Sequence, residues 1–248
     1  MKIIISPAKK MNINNDVFAA LDLPCFLQEA KQLAAWVRTL TYQEAKTLWG
    51  CSDKIAELNF GRFQDMELEK NLTPALLSYE GIQYQYMAPN VFSREAWDYV
   101  QKNLRILSGL YGVLKPLDGV VPYRLEMQAK VRLGGKRNLY DFWGCKLYEQ
   151  VIDQSRTIIN LASKEYSKCV EPYLQPEDRF ITCVFGEWKG GNVIQKGTQA
   201  KMARGEMVRF MAENQIAEPE ALRMFSHPHY RFEDELSSKK EYVFLKSV

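Results

Sequence analysis

Three basic residues between 199 and 214 recur on a helical period. With Lys201 set at 0°, Gly205 falls at about 40°, Arg209 at about 80° and Arg204 at about −60°, using 100° per residue. Ala203, Met207, Phe210 and Met211 gather on the far side. Such a helix turns an apolar face to the protein and a cationic face outward, and a glycine in the cationic sector lets a phosphate backbone approach closely. A solvated charged face is the plainer alternative. Residues 216–220 then lead into a second helix near 219–225, a helix-turn-helix or hairpin geometry whose acids keep the turn itself off DNA.

Two further segments are basic. Between residues 101 and 138 stand eight bases, Lys102, Arg105, Lys115, Arg124, Lys130, Arg132, Lys136 and Arg137, against Asp118 and Glu126. Within that segment the run Gly109-Leu110-Tyr111-Gly112, with Arg105 before it and Lys115 after it, offers glycine backbone N–H groups to an anion. A structural turn needing glycine only for its backbone angles explains it equally well. Arg124 and Glu126 sit near Tyr123, where they pair with each other or with the core, or the arginine stacks on a base. At the chain start, Lys9 and Lys10 follow the strand-like Lys2–Ser6 and could clamp phosphate, although terminal lysines more commonly serve solubility.

Two other chemistries compete. Asn160, Ser163, Lys164, Glu165 and Tyr166 fall where a strand over 157–162 opens into a helix, a place where polar groups often line a pocket. With Tyr140, Phe142 and Trp143 as stacking walls, that pocket would suit an enzyme acting on a nucleobase or nucleotide, Lys164 being nucleophile or phosphate anchor. Helix capping by Ser163 accounts for the cluster without any catalysis. His227 and His229 with Glu233, Asp234 and Glu235 supply nitrogen and oxygen ligands of the kind iron takes, but two histidines split by a proline chelate poorly, and the acids read as a solvated run. No metal or other cofactor is therefore expected.

The elements that must position these groups are mixed. Three isoleucines in Lys2–Ser6 predict a buried strand stopped by Pro7. Residues 26–70 carry apolar positions at helical spacing, with Thr41 and Ser52 as caps. Residues 79–87 are expected to be a strand, and Ser93 to cap a helix to about Asn103. Strands follow at 105–108 and 157–162, a hairpin at 179–195 turned at Lys189-Gly190-Gly191-Asn192, and a last strand at 241–246. The expected fold class is α+β, a single compact domain over 1–248 with a mixed β-sheet surrounded by helices.

Composition agrees with a folded chain: 248 residues are 46% hydrophobic, enough for a substantial core. The net charge of +3 says little, so the uneven distribution of charge carries the argument. Five cysteines lack metal-ligand spacing. No stretch approaches the ~18 apolar residues of a membrane span and the start is too short for a signal peptide, so a reducing, cytoplasmic setting is expected.

Several ordered motifs resemble one family across nearly the whole chain. They are Ile4 with Ser6-Pro7-Ala8-Lys9, Leu107 to Leu114 with Pro116-Leu117-Asp118, Pro122 to Met127, Leu139-Tyr140 with Phe142-Trp143-Gly144, Asn160 to Ser163 with Glu165-Tyr166, and Lys201 with Ala203-Arg204-Gly205 and Arg209-Phe210. On these the chain resembles the bacterial peroxide stress protein YaaA family. The resemblance implies a cytoplasmic protein of the peroxide response that limits iron-driven oxidative damage and binds DNA. It also implies an unusual compact α and β fold with a positively charged cleft and a helix-hairpin-helix element. Gly109–Gly112 matches the glycine hairpin of such elements only loosely, having one extra residue between the glycines. Catalysis is not established by the resemblance.

Taken together, the sequence predicts a monomer that binds double-stranded or structured DNA with little sequence selectivity. The expected contacts are Lys9, Lys10, Arg105, Gly109, Gly112, Lys115, Arg124, Lys201, Arg204, Gly205 and Arg209.

Overall fold

A computed structural model describes residues 1–13, 19–226 and 230–246. Its centre is an eight-stranded sheet made of β1 (Lys2–Ile5), β2 (Leu104–Ser108), β3 (Gly112–Leu114), β4 (Thr157–Leu161), β5 (Arg179–Lys189), β6 (Asn192–Ile194), β7 (Tyr230–Phe232) and β8 (Glu241–Lys246). The spatial order is β7-β8-β5-β4-β1-β2-β3, with β6 folded back on β5. The four central pairings, β8/β5, β5/β4, β4/β1 and β1/β2, are parallel, and the outer ones are antiparallel. Ile3, Ile4 and Ile5 are fully buried, as a parallel strand covered on both faces requires.

Helices cover this sheet: α1 (Leu27–Arg38), α2 (Tyr42–Trp49), α3 (Asp53–Gln64), α4 (Ile82–Met87), α5 (Arg94–Asn103), α6 (Leu139–Trp143), α7 (Lys146–Val151), α8 (Lys164–Ser167) and α9 (Gly197–Glu213). The α+β class with a mixed sheet is therefore the observed one. Thr41 begins α2 with a reciprocal capping box to Glu44, and the Ser93 hydroxyl accepts from Ala96 N at the start of α5. Ser52 precedes α3 without a side-chain cap bond.

Three expected elements differ. Residues 79–87 form only a two-residue strand, Tyr79–Glu80, before turning into α4 at Gly81. Their aromatic content suits a strand, but Tyr84 and Met87, three apart, share the buried face of a helix packed on α9. The helix expected at 219–225 is a 3₁₀ segment, Pro219–Met224. Ser163 does not cap α8; its backbone N–H donates to Ser6 Oγ at 2.8 Å, and the two hydroxyls lie 3.1 Å apart.

β1 is the point where chain order reverses. From β1 the chain passes to β2 and β3 on one side, then crosses back to place β4 and β5 on the other. Ligands of open α/β sheets collect in the crevice beyond the carboxyl ends of strands at such a switch point. Ser6 follows the last residue of β1 and Ser163 lies just beyond the end of β4, so their bond sits at that crevice.

Candidate binding cleft at the carboxyl edge of the sheet

Four segments remote in sequence meet above these strand ends around a cavity of about 400 Å³. Ser6 to Lys10 leaves β1, Glu80 to Tyr84 opens α4, Tyr123 to Glu126 crosses as an extended loop, and Ser163, Glu165 and Tyr166 come from the β4–α8 turn. Lys201 and Arg204, one turn apart on α9, complete the wall.

Each segment is held by bonds beneath the cavity. Tyr84 Oη donates to Ser6 O at 2.9 Å, tying α4 to the end of β1. The Tyr123 hydroxyl bonds with Ser108 Oγ at 2.6 Å and with Tyr79 Oη at 2.9 Å, anchoring the loop to β2. Tyr140 Oη donates to Glu165 O at 2.9 Å and so fixes α8. A Cβ on Gly205 would stand 2.1 Å from Gln83 O, so glycine there allows α9 to cross α4 closely enough for Lys201 and Arg204 to enter the wall.

The charges are unevenly matched. Arg124 Nη2 and Lys9 Nζ approach the same oxygen, Glu126 Oε1, at 2.9 and 3.1 Å, and Lys10 pairs with Glu80 at 2.6 Å. Lys201 and Arg204 have no acidic partner among the described residues, and the Nε of Arg204 is buried without a hydrogen bond. Burial lowers the pKa of that guanidinium, which marks an environment that would favour a bound anion. Burial raises Glu165 above the usual carboxylate value, opposed by the Gln128 N–H that donates to its Oε1 at 3.3 Å. Five bases thus face three acids.

Of the basic residues expected to contact DNA, Lys9, Lys10, Arg124, Lys201 and Arg204 come together here. The others lie elsewhere in the fold. Arg105 is buried, its Nη1 donating to the carbonyls of Gln101 and Leu104 at 3.2 and 2.7 Å. Gly109 and Gly112 are walled in: a Cβ on Gly109 would meet Leu125 O at 2.2 Å, and one on Gly112 would meet Phe26 and Trp143 at 2.9 Å. Their glycines serve close packing, leaving no room for a phosphate. Lys115 lies at the turn that Asp118 closes by accepting from Lys115 N at 2.8 Å. Gly205 is buried at the α4 crossing rather than on a cationic face, and Arg209 pairs with Glu213 at 2.7 Å away from the cleft.

The expected nucleotide pocket divides in the same way. Ser163, Glu165 and Tyr166 line the cleft. Asn160 is locked below it, donating to Thr182 Oγ1 at 3.2 Å and accepting from Ala162 N at 2.9 Å. Lys164, the expected nucleophile, points elsewhere and pairs with Glu171 at 2.5 Å. Trp143 is no stacking wall: it is buried and donates to Gly109 O at 3.1 Å. His227 and His229 lie outside the described residues. Among the described residues no three His, Cys, Asp or Glu side chains gather to hold a metal, and no helix is long and apolar enough to cross a membrane.

Sequence reasoning missed Glu80, Gly81, Gln83 and Tyr84, because that stretch read as a strand. Ser6 and Tyr123 were visible only as parts of motifs, whereas Glu126 was expected as a partner of Arg124, the pair now seen at 2.9 Å. Their spacing in sequence, more than a hundred residues between Ser6 and Tyr123, carries no sign that they meet.

The fold and the site define an α+β protein with a polar crevice, lined by five basic and three acidic side chains, at the switch point of a largely parallel sheet. The profile of the family described as peroxide stress protein YaaA matches residues 1–236, and the chain belongs to that family. Relatives named UPF0246 protein are similar over essentially the full length of both chains. Those of Agathobacter rectalis and Lactiplantibacillus plantarum are 54% identical over 248 and 245 residues, covering 100% and 99% of each chain. That of Lachnoclostridium phytofermentans is 52% identical over 246 residues, covering 99% of this chain and 96% of its own.

Proposed function

We propose that this peroxide stress protein acts in the cytoplasm as a DNA-binding protein, gripping phosphates through a basic cleft and limiting iron-dependent oxidative damage to the strand it covers. The observation that carries the reading is the convergence of Lys9, Lys10, Arg124, Lys201 and Arg204 from three remote segments on one crevice. Lys9, Lys10 and Lys201 are exposed at the rim, where a duplex can reach them, and the ion pairs of Lys9 and Lys10 are exposed enough to exchange for phosphate at little cost. Contacts of this kind carry no base information, so selectivity is low. The reading rests on the cleft and needs no helix-hairpin-helix element.

Replacing Lys9, Lys10 and Lys201 together by alanine is expected to weaken binding by a similar factor on unrelated duplexes. The slope of log affinity against log salt should fall by about 3. Fluorescence anisotropy over a salt series measures both. An affinity indifferent to salt, or unchanged in the triple variant, overturns the reading.

A further inference from the structure

The cavity inside the cleft has a chemistry of its own that rim contacts with a duplex do not use. Its 400 Å³ corresponds to a sphere about 9 Å across, and a duplex is wider than its ~12 Å major groove alone, so no duplex enters the cavity. The volume falls in the ~300–1,000 Å³ range of small-molecule pockets. Besides Nε of Arg124, whose Nη2 already reaches Glu126, two buried donors inside it have nothing to bond: Nε of Arg204 and Nε2 of Gln83. Both side chains line the cavity, and an unmade bond at a buried donor is costly enough that such groups usually have a partner in the working state.

The two donors ask for different acceptors. A planar guanidinium with no carboxylate beside it, and Lys201 one turn away, suit the oxygens of a phosphate. The Gln83 amide offers a donor and an acceptor side by side, the pairing that glutamine makes with the edge of adenine. Glu165 and Glu126 add acceptors for an exocyclic amine. Tyr84 and Tyr123 spend their hydroxyls on Ser6 O, Ser108 and Tyr79, so they contribute ring surface to the walls.

We propose that this cavity binds a single purine nucleotide, its phosphate on Arg204 and Lys201 and its base edge on Gln83 and Glu165. The unit comes either from free nucleotide or from one residue drawn out of a DNA strand lying on the rim; the second source rests on the DNA-binding reading above, the first does not.

Titration calorimetry of the full chain with dAMP and with inorganic phosphate tests the site. dAMP is expected to bind at least about tenfold more tightly than phosphate, the gain from the base edge being about 1.4 kcal/mol. Gln83→Leu should weaken dAMP by about tenfold and leave phosphate unchanged, and Arg204→Gln should weaken both. Circular dichroism checks that each variant is folded; if Arg204→Gln is not, Gln83→Leu decides alone. A duplex carrying 2-aminopurine next to an adenine, where it reports unstacking of that adenine, separates the sources. Brightening on binding, lost in Gln83→Leu, identifies the strand, whereas dAMP binding without brightening identifies free nucleotide. Equal affinity for phosphate and dAMP, an unaltered Gln83→Leu variant, or neither dAMP binding nor brightening overturns the proposal. Anisotropy of unmodified duplex tells loss of DNA binding apart from loss of the site.

Discussion

Glu80 sits at the rim with Lys10 at 2.6 Å and accepts from Asn12 as well, so its negative charge opposes any phosphate held there. Glu80→Gln should strengthen duplex binding by about threefold at low salt, a gain that shrinks as salt screens the rim. Anisotropy at two ionic strengths checks it, and a weaker complex would count against rim contacts. Asp118, from the Pro116-Leu117-Asp118 motif, is a different kind of carboxylate. It is buried, closes the turn at Lys115, and burial pushes its pKa up to about 6. A raised carboxyl favours the protonated folded state, so its contribution to stability falls as pH rises from about 4 to about 6 and is constant above. The stability of Asp118→Asn relative to the parent should therefore climb across that window, by about 3 kcal/mol at most. Denaturant melts at pH 4.5, 5.5 and 7 measure the difference; a constant offset would mean that Asp118 titrates normally.

The α4–α9 crossing decides whether a cleft exists. Glycine at 205 is unfavourable within a helix, costing about 1 kcal/mol against alanine, yet a Cβ there would sit 2.1 Å from Gln83 O and 2.9 Å from Met87 N. Both are backbone atoms that cannot rotate away. Gly205→Ala should therefore destabilise the protein by about 3 kcal/mol despite its better helix propensity, lowering the melting temperature by roughly 6–12 °C. Nucleotide affinity should drop with it, because α9 can accept the methyl group only by carrying Lys201 and Arg204 away from Gln83. A thermal melt with no shift would show that the helices are not so tightly opposed. The same crossing explains why the amphipathic helix was legible and its outward face was not. Ala203, Met207 and Met211 do lie inside. Periodicity, however, cannot tell that a second helix covers the sector holding Gly205 and most of Arg204.

At the scale of the whole molecule, the five cysteines are free, and those whose thiols turn inward are held protonated. Burial pushes Cys169 and Cys183 up to about 12, and Cys25, exposed as a residue but with its thiol donating to Val113 O, up to about 11. Peroxide attacks thiolate, so these three should resist it. Mass mapping after mild peroxide at neutral pH should find Cys25, Cys169 and Cys183 unmodified; sulfenic acid on any of them would point instead to direct sensing. What the sequence determined by itself was the local part: the strand of three isoleucines, the helix of α9, the hairpin at Gly190-Gly191, and ordered motifs that identify the family. These follow from residue type and period, which act over a few neighbouring positions. Only the tertiary structure decided which basic residues are available. Arg105 and Arg124 belong to the same charged segment, yet one is buried and bonded to backbone carbonyls of α5 and β2 and the other faces the cleft. Gly109 and Gly205, which in sequence resemble openings for phosphate, are contacts between main chains. The cleft is made by strand order, which brings the end of β1 beside the end of β4 and beneath α4 and α9, and strand order depends on contacts across more than a hundred residues that no local pattern encodes.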